Sequence, residues 1–259
     1  MEVHHHSHTS RKKWTHYFWE FLMLFLAVTL GFFVENQREH YIERVRAKEY
    51  ARLLTDDLAA DIGEFNRTER VLNKIITAGD SLARILNIPD IRKVPGGKIY
   101  YYEYWSGWRW SVISRDATLQ QLKNSGSLRY LRNTSLVRKI LDYEESIRVI
   151  YMLQSKYETE KTQNWNLVQK VFYQDYFNIL DASPELARDS TGVGFAPGAR
   201  MDGFLDTNYP LYSYNKDVLF ELKNWAYNSA RNYRVIIHDV KTARLKAQQL
   251  IDALKQEYH

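Results

Sequence analysis

Residues 17–34 read YFWEFLMLFLAVTLGFFV, an apolar run containing one ionisable side chain, Glu20. As a helix rising ~1.5 Å per residue it reaches roughly 27 Å, about the hydrocarbon thickness of a bilayer. The expectation is a transmembrane helix over 14–36. A secretory signal would have a shorter core and a small-residue cleavage pattern. Here the core runs through Gly31, Phe32 and Phe33 into Glu35-Asn36-Gln37-Arg38 with no A-x-A-like pattern. Burial within a soluble protein is the plainer alternative, and the polar flanks on both sides weigh against it. Trp14, Tyr17 and Trp19 gather at one end, where amphipathic rings favour the headgroup layer.

Working outward, residues 1–13 form a short basic, His-rich tail. Arg11, Lys12 and Lys13 directly precede the span, and the positive-inside tendency keeps so short a tail in the cytoplasm. The far flank carries Arg38, Arg44, Arg46 and Lys48, so the charge count itself favours neither side. The expected topology is an N-terminus in the cytoplasm and residues 37–259 outside it. His4, His5, His6 and His8 are weak candidate metal ligands, since clustered neutral imidazoles bind Zn or Ni. A chain terminus offers them no fixed geometry, and a solvated tail is the better expectation. Glu20 is a functional candidate because carboxylates are costly in lipid, although it lies near enough to the interface to reach the headgroups. Were several spans to associate, Glu20 would hydrogen-bond across them, with Gly31 permitting close approach.

Composition bounds the rest. The chain has 259 residues, about 220 of them beyond the span, enough for one domain with a real core. Its 36 Lys and Arg against 31 Asp and Glu are dispersed, without the basic stripe that nucleic-acid binding requires. The absence of Cys excludes disulfides, thiolate metal sites and cysteine nucleophiles. With only 5 Pro and 11 Gly, long regular elements are expected.

From Glu35 the helix should continue out of the membrane. Ile42, Val45, Leu53, Leu54, Leu58, Ile62, Phe65, Leu72 and Ile76 recur at helical spacing between charged residues. The spacing holds no strict 3.5-residue repeat, which favours a globular bundle over a coiled coil. Asp56, Asp57 and Asp61 share neighbouring turns; a solvated acidic face is expected ahead of a metal site. Gly79-Asp80-Ser81 resembles a break with a new N-cap, and NIPDIRKVPGGK, 87–98, a loop.

Residues 99–112, IYYYEYWSGWRWSV, concentrate the aromatics. Trp105, Trp108 and Trp110 either wedge the core or line a pocket or interface. Beyond them, Leu119 and Leu122 start a helix that Ser125-Gly126 should interrupt, and Asn133, Thr134 and Ser135 offer N-caps for a helix running to about Tyr176. Residues 177–215 lack pattern and read as a loop. Within them Gly192-Val193-Gly194 and Gly198 miss the phosphate-loop spacings. Val218 through Leu254 fit a long final helix antiparallel to its neighbour, with His238 as a core-edge imidazole.

The anchor EFLMLFLAVTLGFFVENQRE, 20–39, together with TLQQLKNSGSLRYLRNTSLVRKILDYEESI, 118–147, resembles a family of single-span membrane proteins of Bacteroidota with no assigned activity. The resemblance implies a bacterial, membrane-anchored helical protein; it supplies no catalytic residues. With the topology above, the expected location is the bacterial inner membrane, the helical domain periplasmic. The expected fold is all-α, a transmembrane helix continuing into a four-helix-bundle-like domain. The expected function is a non-enzymatic, membrane-anchored interaction or scaffold protein, homo-oligomeric or partnered with another envelope protein, with no cofactor. The alternatives are an extracytoplasmic small-ligand sensor and an oligomeric pore or ion-linked device using Glu20.

Overall fold

The computed structural model describes residues 14–181 and 201–258, and every regular element among them is helical. The first helix, α1, spans Trp14–Ile85 without interruption, 72 residues or roughly 110 Å of rod. Its first two dozen residues stand clear of the rest of the chain, and the stretch apolar enough to cross a membrane is unburied throughout. Burial begins at Ala47 and continues at Ala51, Leu54, Leu58, Asp61, Phe65, Thr68, Leu72 and Ile75. These positions alternate by four and three residues, the repeat of left-handed bundle packing. The expectation of no strict 3.5-residue repeat is thereby corrected: Ala47, Ala51, Asp61 and Thr68 fill four of its positions, where a large apolar side chain is missing.

The final helix, α7 (Lys216–Tyr258), keeps the same alternation from Leu219, Leu222 and Ala226 to Leu250 and Leu254. It runs antiparallel to α1. Arg234 pairs with Asp80, Lys241 and Arg244 both pair with Glu69 at 3.0 Å, and Lys223 bonds Asn87. The helix α4, Thr134–Val171, packs on the other side of α7, again antiparallel, with Asn232 donating to Glu160 at 2.8 Å and Lys246 to the Asp142 carbonyl at 2.9 Å.

The fourth side of the bundle is occupied by a broken leg. A 3-10 turn, Ile91–Lys93, leads into α2 (Gly96–Gly107); an extended stretch follows, then α3 (Ala117–Asn124) and a second 3-10 turn, Ser127–Tyr130. This leg descends α1 towards the apolar N-terminal stretch, touching the helix successively at Lys74, Thr68, Asp61, Asp57 and Arg46. The topology is therefore up, down, up, down. Two short helices, α5 (Gln174–Asp181) and α6 (Met201–Asp206), close the end distant from the apolar stretch.

Several local expectations need correction. No break occurs at Gly79-Asp80-Ser81: α1 continues to Ile85, and Gly79 lets α7 approach, since a Cβ there would lie 3.1 Å from the Ala226 carbonyl oxygen. The helix after Asn133 ends at Val171, and α5 follows it. His238 is exposed on α7 and lies off the core edge. Asp61 belongs to no solvated face; it is 1% exposed. By contrast, Gly126 does separate α3 from the turn after it, in a left-handed conformation at φ 68°. Asn133 caps α4 by accepting from the Ser135 and Leu136 amides at 3.0 and 3.3 Å.

Candidate functional site

The extended stretch between α2 and α3 has no helical partners for its backbone, so side chains must satisfy it. Gln154 accepts from the Val112 amide at 2.7 Å and the Tyr151 hydroxyl from the Ser114 amide at 2.9 Å. Asp61 accepts from the Ser114 hydroxyl at 2.6 Å, the Arg115 amide at 2.7 Å and the Tyr143 hydroxyl at 2.5 Å. Burial pushes the Asp61 carboxyl up, against the lowering effect of those donors. Burial, and then the neighbouring carboxylate, push the Tyr143 phenol up as well. Asp57 receives the Thr118 amide at the start of α3, at 3.4 Å, while Asp56 faces solvent. The three aspartates thus diverge into different tasks.

The aromatic stretch is divided between core and rim. Trp105 is 2% exposed, with its ring 5.6 and 5.7 Å from those of Tyr104 and Trp108. The Lys74 ammonium sits 3.6 Å over the Trp105 ring, and burial lowers its pKa to about 8. Trp110 donates its indole N–H to Thr68 at 3.0 Å. Tyr100, wholly buried, donates to the Pro210 carbonyl at 2.9 Å and accepts from the Tyr173 amide at 3.0 Å. These residues wedge the distal half of the bundle.

Beside that wedge lies a half-open cleft of about 560 Å³, within the range of small-molecule sites. The end of α2 supplies Glu103, Tyr104 and Gly107, with Arg109 just beyond; Phe177 and Asn178 of α5 lie opposite. Trp165 of α4 and Trp225 of α7 complete its walls. At its inner face is Lys161, a position that sequence reasoning did not single out.

Lys161 is 7% exposed. Its ammonium donates to the Trp108 carbonyl and, at 3.5 Å, to that of Gly107, closing the C-terminal end of α2. The Tyr233 ring lies 4.6 Å from Nζ. Burial drives the Lys161 pKa down to about 7. The nearby Arg109 pairs with Glu158 at 3.3 Å on the rim. A second void of about 40 Å³ shares Lys161 and Trp225 with the cleft and is also lined by Ser229, whose buried hydroxyl has no hydrogen-bond partner among the described residues.

Of the other candidates, Glu20 is exposed on α1 with its carboxylate 3.1 Å from Nε2 of His16, one turn earlier. His4, His5, His6 and His8, and the glycines at 192, 194 and 198, lie outside the described residues. No group of three or more potential metal ligands occurs among the described residues. Comparison with protein-family models, with curated proteins and with solved structures finds no match.

Proposed function

We propose that this chain is a single-pass, membrane-anchored, non-enzymatic interaction protein whose helical domain is held away from the bilayer on a stiff neck. The observation that carries this reading is the continuity of α1: an apolar stretch with none of its surface buried is joined, without a hinge, to a helix that then enters a packed core. An exposed apolar surface of that size is stable only against lipid or another apolar partner. Residues 35–46 form the neck, where Arg38 pairs with Glu35 at 2.5 Å and Arg132 with Glu43 at 3.0 Å.

In this proposal the tail is cytoplasmic and the bundle extracytoplasmic, in the inner membrane of a bacterium, consistent with the resemblance to Bacteroidota single-span proteins. Association between copies through the span and neck is part of the same proposal. Tyr41 and Val45, one turn apart below the bundle, are 69% and 49% exposed, a spacing suited to pairing with a second helix. The pairing of Glu20 with His16 gives that carboxylate a partner on its own helix, which favours the scaffold reading over the pore.

Since the chain has no Cys, single cysteines introduced at Ser7 and at exposed Ser155 report topology directly. The expected result is carbonate-resistant membrane association, with only the Ser155→Cys chain labelled by an impermeant maleimide in intact cells. Recovery of the protein in the soluble fraction without detergent would overturn the anchor. Native mass spectrometry in mild detergent tests association, and a monomer alone would remove that part.

A further inference from the structure

We infer that the cleft between α2, α4, α5 and α7 binds a small organic anion with a planar apolar body, its charged end meeting Lys161 and its body lying between Trp165 and Trp225. Three observations converge on this ligand chemistry. Lys161 is a buried cation whose hydrogen bonds go to neutral carbonyls, and it forms no ion pair among the described residues; a buried charge without a counter-ion is costly, and an incoming anion offsets that cost. The void next to it holds the unpartnered Ser229 hydroxyl, a second donor available to a polar group there. Tyr104, Trp165, Phe177 and Trp225 give the cleft aromatic walls beside its polar rim, which suits a flat apolar body.

The ligand comes from solution. The cleft lies level with Lys74 on α1, roughly 60 Å beyond Val34 at ~1.5 Å per residue, out of reach of lipids around the chain's own anchor. The inference does not depend on the nature of the anchor, because the cleft is formed wholly by the bundle.

The charged and titratable groups facing Lys161 are Glu103 on α2, Arg109 after it, Glu158 on its own helix and Tyr233 on α7. Arg109 and Glu158 largely satisfy each other. With its pKa lowered to about 7 by burial, Lys161 takes up a proton as the anion binds, so affinity falls as pH rises from 6 to 9.

The test is calorimetric titration of the full chain in nanodiscs with 2-naphthoate and with its neutral isostere, 2-naphthamide, against empty nanodiscs. Expected are saturable naphthoate binding with proton uptake, and affinity for the amide weaker by roughly tenfold or more. Lys161→Met should erase the preference for the acid. Trp165→Ala, at an exposed wall position, should weaken both compounds without affecting folding, so the test survives a poorly folded Lys161 variant. Naphthoate uptake no greater than by empty nanodiscs, an amide bound as well as the acid, or undiminished naphthoate binding by a folded Lys161→Met chain would each overturn the proposal.

Discussion

Gly97, at the start of α2 against α6, and Lys161, against the end of α2, answer to different constraints, one of space and one of charge. A Cβ at Gly97 would fall 1.8 Å from the Phe204 carbonyl oxygen, a backbone atom that cannot swing aside. Gly97→Ala should therefore destabilise the domain by ~2 kcal/mol or more, read as a lowered denaturation midpoint. For Lys161 the sign follows from proton binding. Its folded pKa, about 7, lies below the ordinary 10.5, so between those values the unfolded chain binds more protons and stability rises with pH. Lys74, lowered to about 8, adds in the same direction. The melting temperature should climb from pH 7 to about 9.5, and Lys161→Met should reduce that climb; an unchanged slope would refute the assignment. Above pH 10 the trend should reverse, because burial raises Tyr100 to about 12 and raises Tyr143 and Tyr233 further. Asp61→Ala strands the Tyr143 hydroxyl and the Arg115 amide, and a loss of ~3 kcal/mol is expected.

At the scale of elements, the three long helices are governed by one repeat filled with side chains of unequal size. Ala226, Ala243 and Ala247 are fully buried on α7, where a small side chain lets neighbouring helices approach. Ala243→Leu should cost ~1–3 kcal/mol by overpacking, measurable by chemical denaturation, whereas Leu245→Ala, at a 62% exposed position, should have little effect. The capping of α4 by Asn133 was legible in NTS before a helical pattern, because an N-cap is a local bargain between a side chain and amides two and three residues on. Gly126 was legible for the same reason. Gly79 was misread because a glycine at a helix crossing and a glycine at a helix end look alike until the partner helix is known. The regularity of α1 was obscured because Asp61 and Thr68 sit at core positions: their partners, Ser114, Tyr143 and Trp110, are 42 to 82 residues away.

For the molecule as a whole, the bundle derives its core from residues after Arg46, while the preceding part of α1 contributes no buried residue. A chain beginning at Glu35 should keep its helical content and cooperative melting, and no longer sediment with membranes. Circular dichroism and membrane flotation check both halves; failure of that shorter chain to fold would show that the anchor contributes to the core. The cleft belongs to this scale too, since α2, α4, α5 and α7 each supply part of its wall.

The sequence by itself determined the all-helical class, the apolar stretch near the N-terminus, the cap at Asn133 and the break at Gly126, all of which depend on residues within a few positions of one another. The tertiary structure decided which leg is broken, that Asp61 is a buried acceptor, and that Lys161 faces a cleft. Lys161 lies in YETEKTQNW, an unremarkable polar stretch, and only the carbonyls at the end of α2, more than fifty residues earlier, make its burial tolerable. Local chemistry is written in neighbouring letters, whereas desolvation is conferred by whatever the fold brings alongside.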